Sequence, residues 1–255
     1  MIRTEKIFKS FDDHEVLKDI NVTFRKGDTN LIIGRSGAGK TVLLKILVGL
    51  LTPTEGKVWY DDVDFFSLDK RQMRAVRMQI GMLFQGSALF DSMTIEQNVR
   101  FPMDMFTHQT RKEKMNRVNY CLERVELKGI NNKYPSEISG GMQKRVGIAR
   151  AIVLNPRYLF CDEPNSGLDP KTSMLIDDLI SSITKEFNIT TIINTHDMNS
   201  VMAIGENICL LHEGYVAWKG DKDQVLETTN QVLYDFVFAS PFLQRIRDLH
   251  VDSGQ

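Results

Sequence analysis

The chain has 255 residues, 42% of them hydrophobic and 25% charged, the balance of a folded protein and not of a disordered one. Its 32 Lys and Arg against 33 Asp and Glu leave a formal net charge of −1, which argues against nucleic acid as a partner held by summed charge. Cys121, Cys161 and Cys209 lie far apart with no CxxC pair, so they offer neither a zinc site nor a disulfide framework and point to a reducing compartment.

Residues 1–13 mix charged and apolar side chains and show no signal-peptide core. The most apolar stretch, Leu43 to Leu51, is broken by Lys45, whereas a bilayer span takes about 20 apolar residues. Nothing here is expected to span a bilayer; if the chain works on a membrane, it does so from the cytosolic side and through a partner.

Residues 1–33 read as strands: Ile20, Val22 and Phe24 alternate with polar residues, and a Lys26-Gly27-Asp28 turn precedes Leu31-Ile32-Ile33. A glycine-rich loop leads into a helix from about Lys40 to Val48, which the Thr52–Gly56 breaker ends. Lys57 to Tyr60 reads as a short strand, Leu68 to Met78 as a helix, and Ile80 to Phe84 as a buried strand. From Gln85 to Asn155 helical patterning dominates, as in a helical insertion. Strand and helix then alternate again. Tyr158 to Cys161, Ile189 to Ile193 and Ile208 to Leu211 are strands, and Lys171 to Phe187 is a helix with Ile176, Leu179, Ile180 and Ile183 on one face. That alternation implies a parallel sheet in an α/β fold. From Asp221 onward the pattern is helical and is split by Pro241.

Gly34-Arg35-Ser36-Gly37-Ala38-Gly39-Lys40-Thr41, followed by Val42, fits GxxxxGK[ST] between a predicted strand and a predicted helix. The glycines let successive backbone N–H groups turn toward phosphate oxygens, and the helix start adds unpaired donors and the positive end of its dipole. Lys40 reaches the β- and γ-phosphates and the Thr41 hydroxyl binds Mg²⁺, so ATP with Mg²⁺ is the expected ligand.

The strand Tyr158 to Cys161 ends in Asp162-Glu163, at the strand edge where α/β sheets bind ligands. Asp162 is the expected holder of Mg²⁺, and Glu163 the residue that orients or deprotonates the attacking water. Cys161 reads as a small buried apolar residue. His196, just past a core strand, reads equally as a loop residue or as a γ-phosphate contact. Gln85, directly after Met82-Leu83-Phe84, carries the same ambiguity.

Ile138-Ser139-Gly140-Gly141-Met142-Gln143 resembles the LSGGQ signature of ABC ATPases. With it, residues 1–220 resemble an ATP-binding-cassette subunit. The family order runs from an aromatic at Phe11, through Walker A at 34–41, Gln85 and the signature, to Walker B through Asp162, then Glu163, a D-loop at Ser166-Gly167-Leu168-Asp169 and His196. The resemblance implies a P-loop NTPase (RecA-like) core, an N-terminal antiparallel β subdomain and an inserted α-helical subdomain at about 86–155, with residues 221–255 as a helical tail.

It also implies roles. Phe11 stacks on adenine, Gln85 senses the γ-phosphate and Mg²⁺, and His196 contacts the γ-phosphate. Ser139, Gly140 and Gly141 cap ATP held by a second copy, so that two chains sandwich two nucleotides. Ile138 and Met142 depart from the signature without removing its Ser or glycines. Asn165 stands where Thr is usual and reads as a peripheral change.

The run from Gln85 to Ile95, QGSALFDSMTI, is similar to the QGGALFDSLTV run of Mla-type ATPases, which drive phospholipid trafficking; Gln97 departs from the usual Glu. This resemblance implies an ATPase at the cytoplasmic face of the inner (plasma) membrane. There it would be peripheral to an integral-membrane permease, with an MCE-type lipid-binding component as a further candidate partner. The alternatives are an ABC ATPase for another small molecule, or a regulatory ABC ATPase of the cell-division type.

Lys70, Arg71, Arg74 and Arg77 have helical spacing and read as a solvated face. Two apolar stripes in the tail (Val232, Leu233, Phe236 and Val237, then Phe242, Leu243, Ile246 and Leu249) must be covered, either by this chain's own core or by a partner subunit.

Overall fold

The computed structural model describes residues 1–238. The strands β1 (Ile2–Phe11), β2 (His14–Ile20) and β3 (Thr23–Phe24) form the start of an antiparallel sheet. β4 (Thr29–Ile33) enters a second sheet, and α1 (Lys40–Leu47) leaves it. The chain returns to the first sheet as β5 (Glu55–Tyr60) and β6 (Val63–Asp64), giving the order β2-β1-β5-β6 with β3 also on β1.

After α2 (Lys70–Arg77), β7 (Ile80–Leu83) joins the second sheet. The helices α3 (Ile95–Phe106), α4 (Arg111–Arg124) and α5 (Gly140–Ile152) follow. β8 (Tyr158–Asp162), α6 (Pro170–Phe187), β9 (Thr190–Asn194), α7 (Met198–Ile204) and β10 (Asn207–His212) restore the alternation. β11 (Tyr215–Gly220), α8 (Lys222–Leu226) and α9 (Gln231–Val237) end the described chain. The second sheet has the order β11-β10-β4-β9-β8-β7 and is parallel except at β11.

Every residue of β4 and of β9 is buried, as expected of strands covered on both faces. Their side chains still divide by parity. Leu31, Ile33, Leu159, Cys161 and Ile193 join the core beneath α3–α7. Ile32, Phe160 and Ile192 join a second core with Leu43, Leu44, Ile46 and Leu47 of α1 and with Ile2, Val58 and Tyr60 of the antiparallel sheet. α1 is thereby held between the two sheets. This fixes the loop that precedes it.

Local chemistry sets the helix starts. Asp69 with Gln72, Thr94 with Gln97, and Thr110 with Glu113 close reciprocal capping boxes on α2, α3 and α4. Gln97, where the Mla-type run has Glu, closes the box on α3, its side chain accepting from the Thr94 N–H at 2.8 Å. All four cations flagged on α2 are exposed, in keeping with a solvated face.

One feature differs from the sequence reading, and one of its open alternatives is decided. β11 was not expected; it forms an antiparallel hairpin with β10 through Glu213 and Gly214, both left-handed at φ 49° and 86°. In the tail, Leu233, Val237 and Phe238 are buried in the core under the parallel sheet, so the first stripe is covered by its own chain. The second stripe and Pro241 lie outside the described residues.

Candidate active site

The C-terminal ends of β4, β7, β8 and β9 share one edge of the sheet. They deliver the glycine loop, Gln85, Asp162-Glu163 and Thr195-His196 to it. Gly34 has φ 146°, and a Cβ there would sit 2.3 Å from the Leu211 carbonyl oxygen, so only glycine fits between the end of β4 and the end of β10. Gly39, at φ 99°, caps α1, and a Cβ on it would meet Leu17 at 2.6 Å. The loop's ammonium is internal: Lys40 Nζ donates to the Gly34 carbonyl at 2.8 Å and to the Arg35 carbonyl at 3.1 Å. Burial lowers the Lys40 pKa, and the charges of Glu163 and Asp162 pull it back up.

The loop residues Arg35–Gly37 and Gly39–Val42 line one cavity of about 720 Å³ together with Gln85, Glu163 and His196. Glu163 has a left-handed backbone, φ 49°, held by its N–H to the Asn194 carbonyl at 2.9 Å. That turn aims the carboxylate at His196, whose Nδ1 lies 2.7 Å from Oε2. Gln85 Nε2 donates to Ser166 Oγ at 3.4 Å, joining the end of β7 to the loop after Glu163.

Asp162 and Thr41 are brought together by a residue that the sequence reading missed. Asn194, the last residue of β9, donates through Nδ2 to Asp162 Oδ1 at 2.7 Å and to Thr41 Oγ1 at 3.4 Å. Its Oδ1 is buried without a hydrogen-bond partner. The available signal was a polar residue closing an apolar strand.

Among the described residues no three His, Cys, Asp or Glu side chains gather into a protein-only metal cage. A magnesium ion shared with phosphates needs only one or two carboxylates and otherwise takes hard oxygens. Thr41, Asp162 and the Gln85 amide are such donors, so the residues fit Mg²⁺.

Lys144 on α5 was also missed. It is 5% exposed, and its ammonium donates to the Gln85 carbonyl and, at 3.4 Å, to the Glu163 carbonyl. Arg150, two turns on, donates to the carbonyls of Ser87 at 2.6 Å and Ala88 at 2.7 Å. Phe236 of α9 and Val16 of β2 complete the cavity wall, bringing the tail to the glycine loop.

Phe11, 42% exposed at the end of β1, is not among the cavity-lining residues; Lys9 Nζ lies 4.9 Å above its ring. The N-terminus of α5 is also apart from the cavity. Ser139 caps it by accepting from the Met142 N–H at 3.3 Å, and Ser139 and Gly140 face solvent. Gly141 is pressed against α6, where a Cβ would lie 2.6 Å from Thr172 Cγ2. The three thiols are free and buried. Burial pushes Cys121 up to about 11 and Cys161 beyond the range in which it could serve as a nucleophile.

Asn165 is not peripheral, contrary to the sequence reading. It is 8% exposed and donates through Nδ2 to Asp177 Oδ1 and to Ser200 Oγ, each at 2.9 Å.

Comparison with known proteins gives one consistent family. The family described as ABC transporter matches residues 17–166. The probable ribonucleotide transport ATP-binding protein mkl of Mycobacterium tuberculosis is 35% identical over 92% of this chain, which spans 66% of that relative's length. The methionine import ATP-binding protein MetN of Protochlamydia amoebophila is 38% identical, covering all of this chain and 73% of its own. Among solved structures, the dimeric post-hydrolysis state of the ATP-binding cassette MJ0796 with ADP and Pi is similar at a TM-score of 0.79 and 32% identity. The match covers 87% of this chain and 99% of that one.

Proposed function

This chain belongs to the ABC transporter ATP-binding family, as an ABC ATPase domain, and we propose that it hydrolyses ATP to drive phospholipid movement through a separate membrane permease. The observation that carries the ATPase half is the meeting of Lys40, Gln85, Glu163 and His196 around one cavity, with Glu163 and His196 in hydrogen-bond contact at 2.7 Å. In this reading the N–H groups of the glycine loop and Lys40 hold the β- and γ-phosphates, and Phe11 stacks on adenine. Thr41, Asp162 and Gln85 hold Mg²⁺, which when bound neutralises charge on the phosphates. Glu163 orients the attacking water and accepts its proton, and His196 contacts the γ-phosphate.

The α5 N-terminus of Ser139, Gly140 and Gly141 is a preformed anion site that its own cavity does not use. A second copy of the chain uses it in the closed state, so that each nucleotide is held by one copy and capped by the other. The dimeric form of the MJ0796 cassette supports this arrangement.

Membrane attachment is through the permease. Among the described residues no helix is long and apolar enough to cross a membrane. A groove of about 410 Å³ beside the Gln85 segment is lined by Met82, Phe84, Phe90, Phe101 and Phe106. Phe84, Phe90 and Phe106 are each about two fifths exposed, which suits an apolar helix end of a permease at the cytoplasmic face of the inner (plasma) membrane. The substrate half rests on the likeness of Gln85 to Ile95 to the Mla-type run, and an MCE-type lipid-binding component fits the same reading. The relatives' names point instead to ribonucleotides and methionine.

Two measurements test the proposal. Glu163→Gln leaves nucleotide binding intact and lowers ATP turnover by about a hundredfold or more; near-normal turnover in the purified complex removes Glu163 from its role. Purification with the membrane partner, followed by lipid analysis and by ATPase assays with phospholipid, methionine or nucleotides added, tests the substrate. Stimulation by methionine and not by phospholipid overturns the lipid assignment while leaving the ATPase standing.

A further inference from the structure

The loop that carries Glu163 and the helix that follows His196 are joined by one buried side chain. Asn165 lies two residues past Glu163 and Ser200 four past His196, and the 2.9 Å bond from Asn165 Nδ2 to Ser200 Oγ spans them. A second 2.9 Å bond from the same nitrogen to Asp177 Oδ1 secures the amide to α6. Ser200 and Asp177 are themselves 1% and 3% exposed, so water does not compete for either bond. Asn165 Oδ1 is buried without a partner, a cost that filling space alone does not explain.

We infer that Asn165 is a positioning residue for hydrolysis: through Ser200 and Asp177 it sets the placement of Glu163 relative to His196. The inference rests on the catalytic reading of those two residues. The local backbone makes the tie consequential. Glu163 sits in a left-handed turn and Pro164 follows it, so the carboxylate's direction depends on how residues 163–166 are anchored. On the other side, Asp197 caps α7 by accepting from the Asn199 N–H at 2.9 Å, so a shift of Ser200 carries the start of α7, and His196 with it. A displacement of a few tenths of an ångström at either end changes the 2.7 Å contact between Glu163 and His196.

The anchor is charged but poised. Burial, with Asp197 and Asp178 adding to it, pushes the Asp177 carboxyl up to about 6, against the hydrogen bonds from Ser200 and Asn165. The Cys161 thiol on β8 also faces it and stays neutral.

The test uses the full chain. Asn165→Ala removes both of its bonds, Ser200→Ala removes the bond from Asn165 to α7 together with the one from Ser200 to Asp177, and Asn165→Thr offers a single hydroxyl donor. Steady-state ATPase and binding of a fluorescent ATP analogue are measured, together with hydrogen–deuterium exchange over residues 163–169 and 195–201. The expected result for Asn165→Ala is a kcat lower by about tenfold with analogue affinity within about twofold of the parent, and faster exchange in both segments. Ser200→Ala falls between it and the parent, and Asn165→Thr recovers part of kcat.

Parental kcat and unchanged exchange at 195–201 in both alanine variants overturn the inference. So does a parallel loss of affinity and kcat with faster exchange throughout the chain, which marks a general stability role. Should Asn165→Ala fail to fold, Ser200→Ala decides the matter by the same readouts. A parent chain that hydrolyses no ATP refutes the proposed function instead, and the exchange comparison still decides whether the tie exists.

Discussion

Asp177→Asn should stabilise the protein at neutral and alkaline pH. The carboxyl is 3% exposed and ionises at about 6 in the folded chain instead of 3.8, with burial the leading cause. The unfolded chain releases this proton at the ordinary value, whereas the folded chain retains it until about pH 6. Protonated Asp177 therefore contributes stability that is fully present below about pH 4 and is lost as pH rises through about 6. The separation corresponds to about 3 kcal/mol at the limit, an upper bound because the site relaxes around the charge. Asparagine is nearly isosteric, keeps an oxygen to accept from Asn165 and Ser200, and carries no charge to desolvate.

The expected gain is about 1–3 kcal/mol at pH 8, or roughly 3–8 °C in melting temperature for a domain of this size. By pH 5 about half of the difference should have gone, because the parent carboxyl is by then mostly neutral. Thermal and urea unfolding of both proteins at pH 8 and pH 5, at fixed ionic strength and without nucleotide, measure this. A variant less stable than the parent at pH 8, or a difference equal at the two pH values, refutes the argument.

Asn194→Ala cuts the link between Thr41 and Asp162 without touching either. It should raise the Mg²⁺ concentration for half-maximal ATPase by about tenfold, read from a Mg²⁺ titration at saturating ATP. Gly81→Ala would place a methyl 2.2 Å from the Ala151 carbonyl oxygen, where β7 is pressed against α5. Both sides of that contact are backbone, so we expect a loss of about 2–3 kcal/mol in urea unfolding, with less soluble protein on expression.

Local chemistry made much of the site legible. The glycine spacing, the strand before it and the helix after it put Gly34 to Thr41 at a strand end, and the run Tyr158–Glu163 put the two carboxylates at a neighbouring one. Those signals are contiguous in the chain. The residues that the reading missed act across it. Asn194 joins Thr41 to Asp162 over 153 and 32 positions, and Lys144 reaches Gln85 over 59. Neither has a periodic neighbour that marks it. Asn165 was read as peripheral because only its place in a loop motif was visible, not the two helices that close over it. β11 was missed for a different reason: none of its residues is fully buried, so it shows little alternation, and its turn opens with Glu213 where Asn or Asp is the usual marker.

α5 shows how such long-range contacts tie the motif that announces the helix to the rest of the site. Ser139 stands exposed at its head, and Lys144 lies five positions on, about 7.5 Å along the axis. Lys144 donates to the carbonyls of Gln85 and Glu163, and Arg150 to those of Ser87 and Ala88. Three of these four acceptors belong to the segment that borders the apolar groove, and the fourth is the carbonyl of Glu163 itself. A 13-residue helix packed on β7 and α3 moves as a unit. Lys144 therefore ties the Gln85 and Glu163 backbones to the same helix whose head carries Ser139. Buried Lys144 and half-buried Arg150 thus tie α5 to the carbonyls of Gln85, Ser87, Ala88 and Glu163. Short carbonyl contacts suit this task better than ion pairs, because their geometry is directional and their strength does not fall with salt.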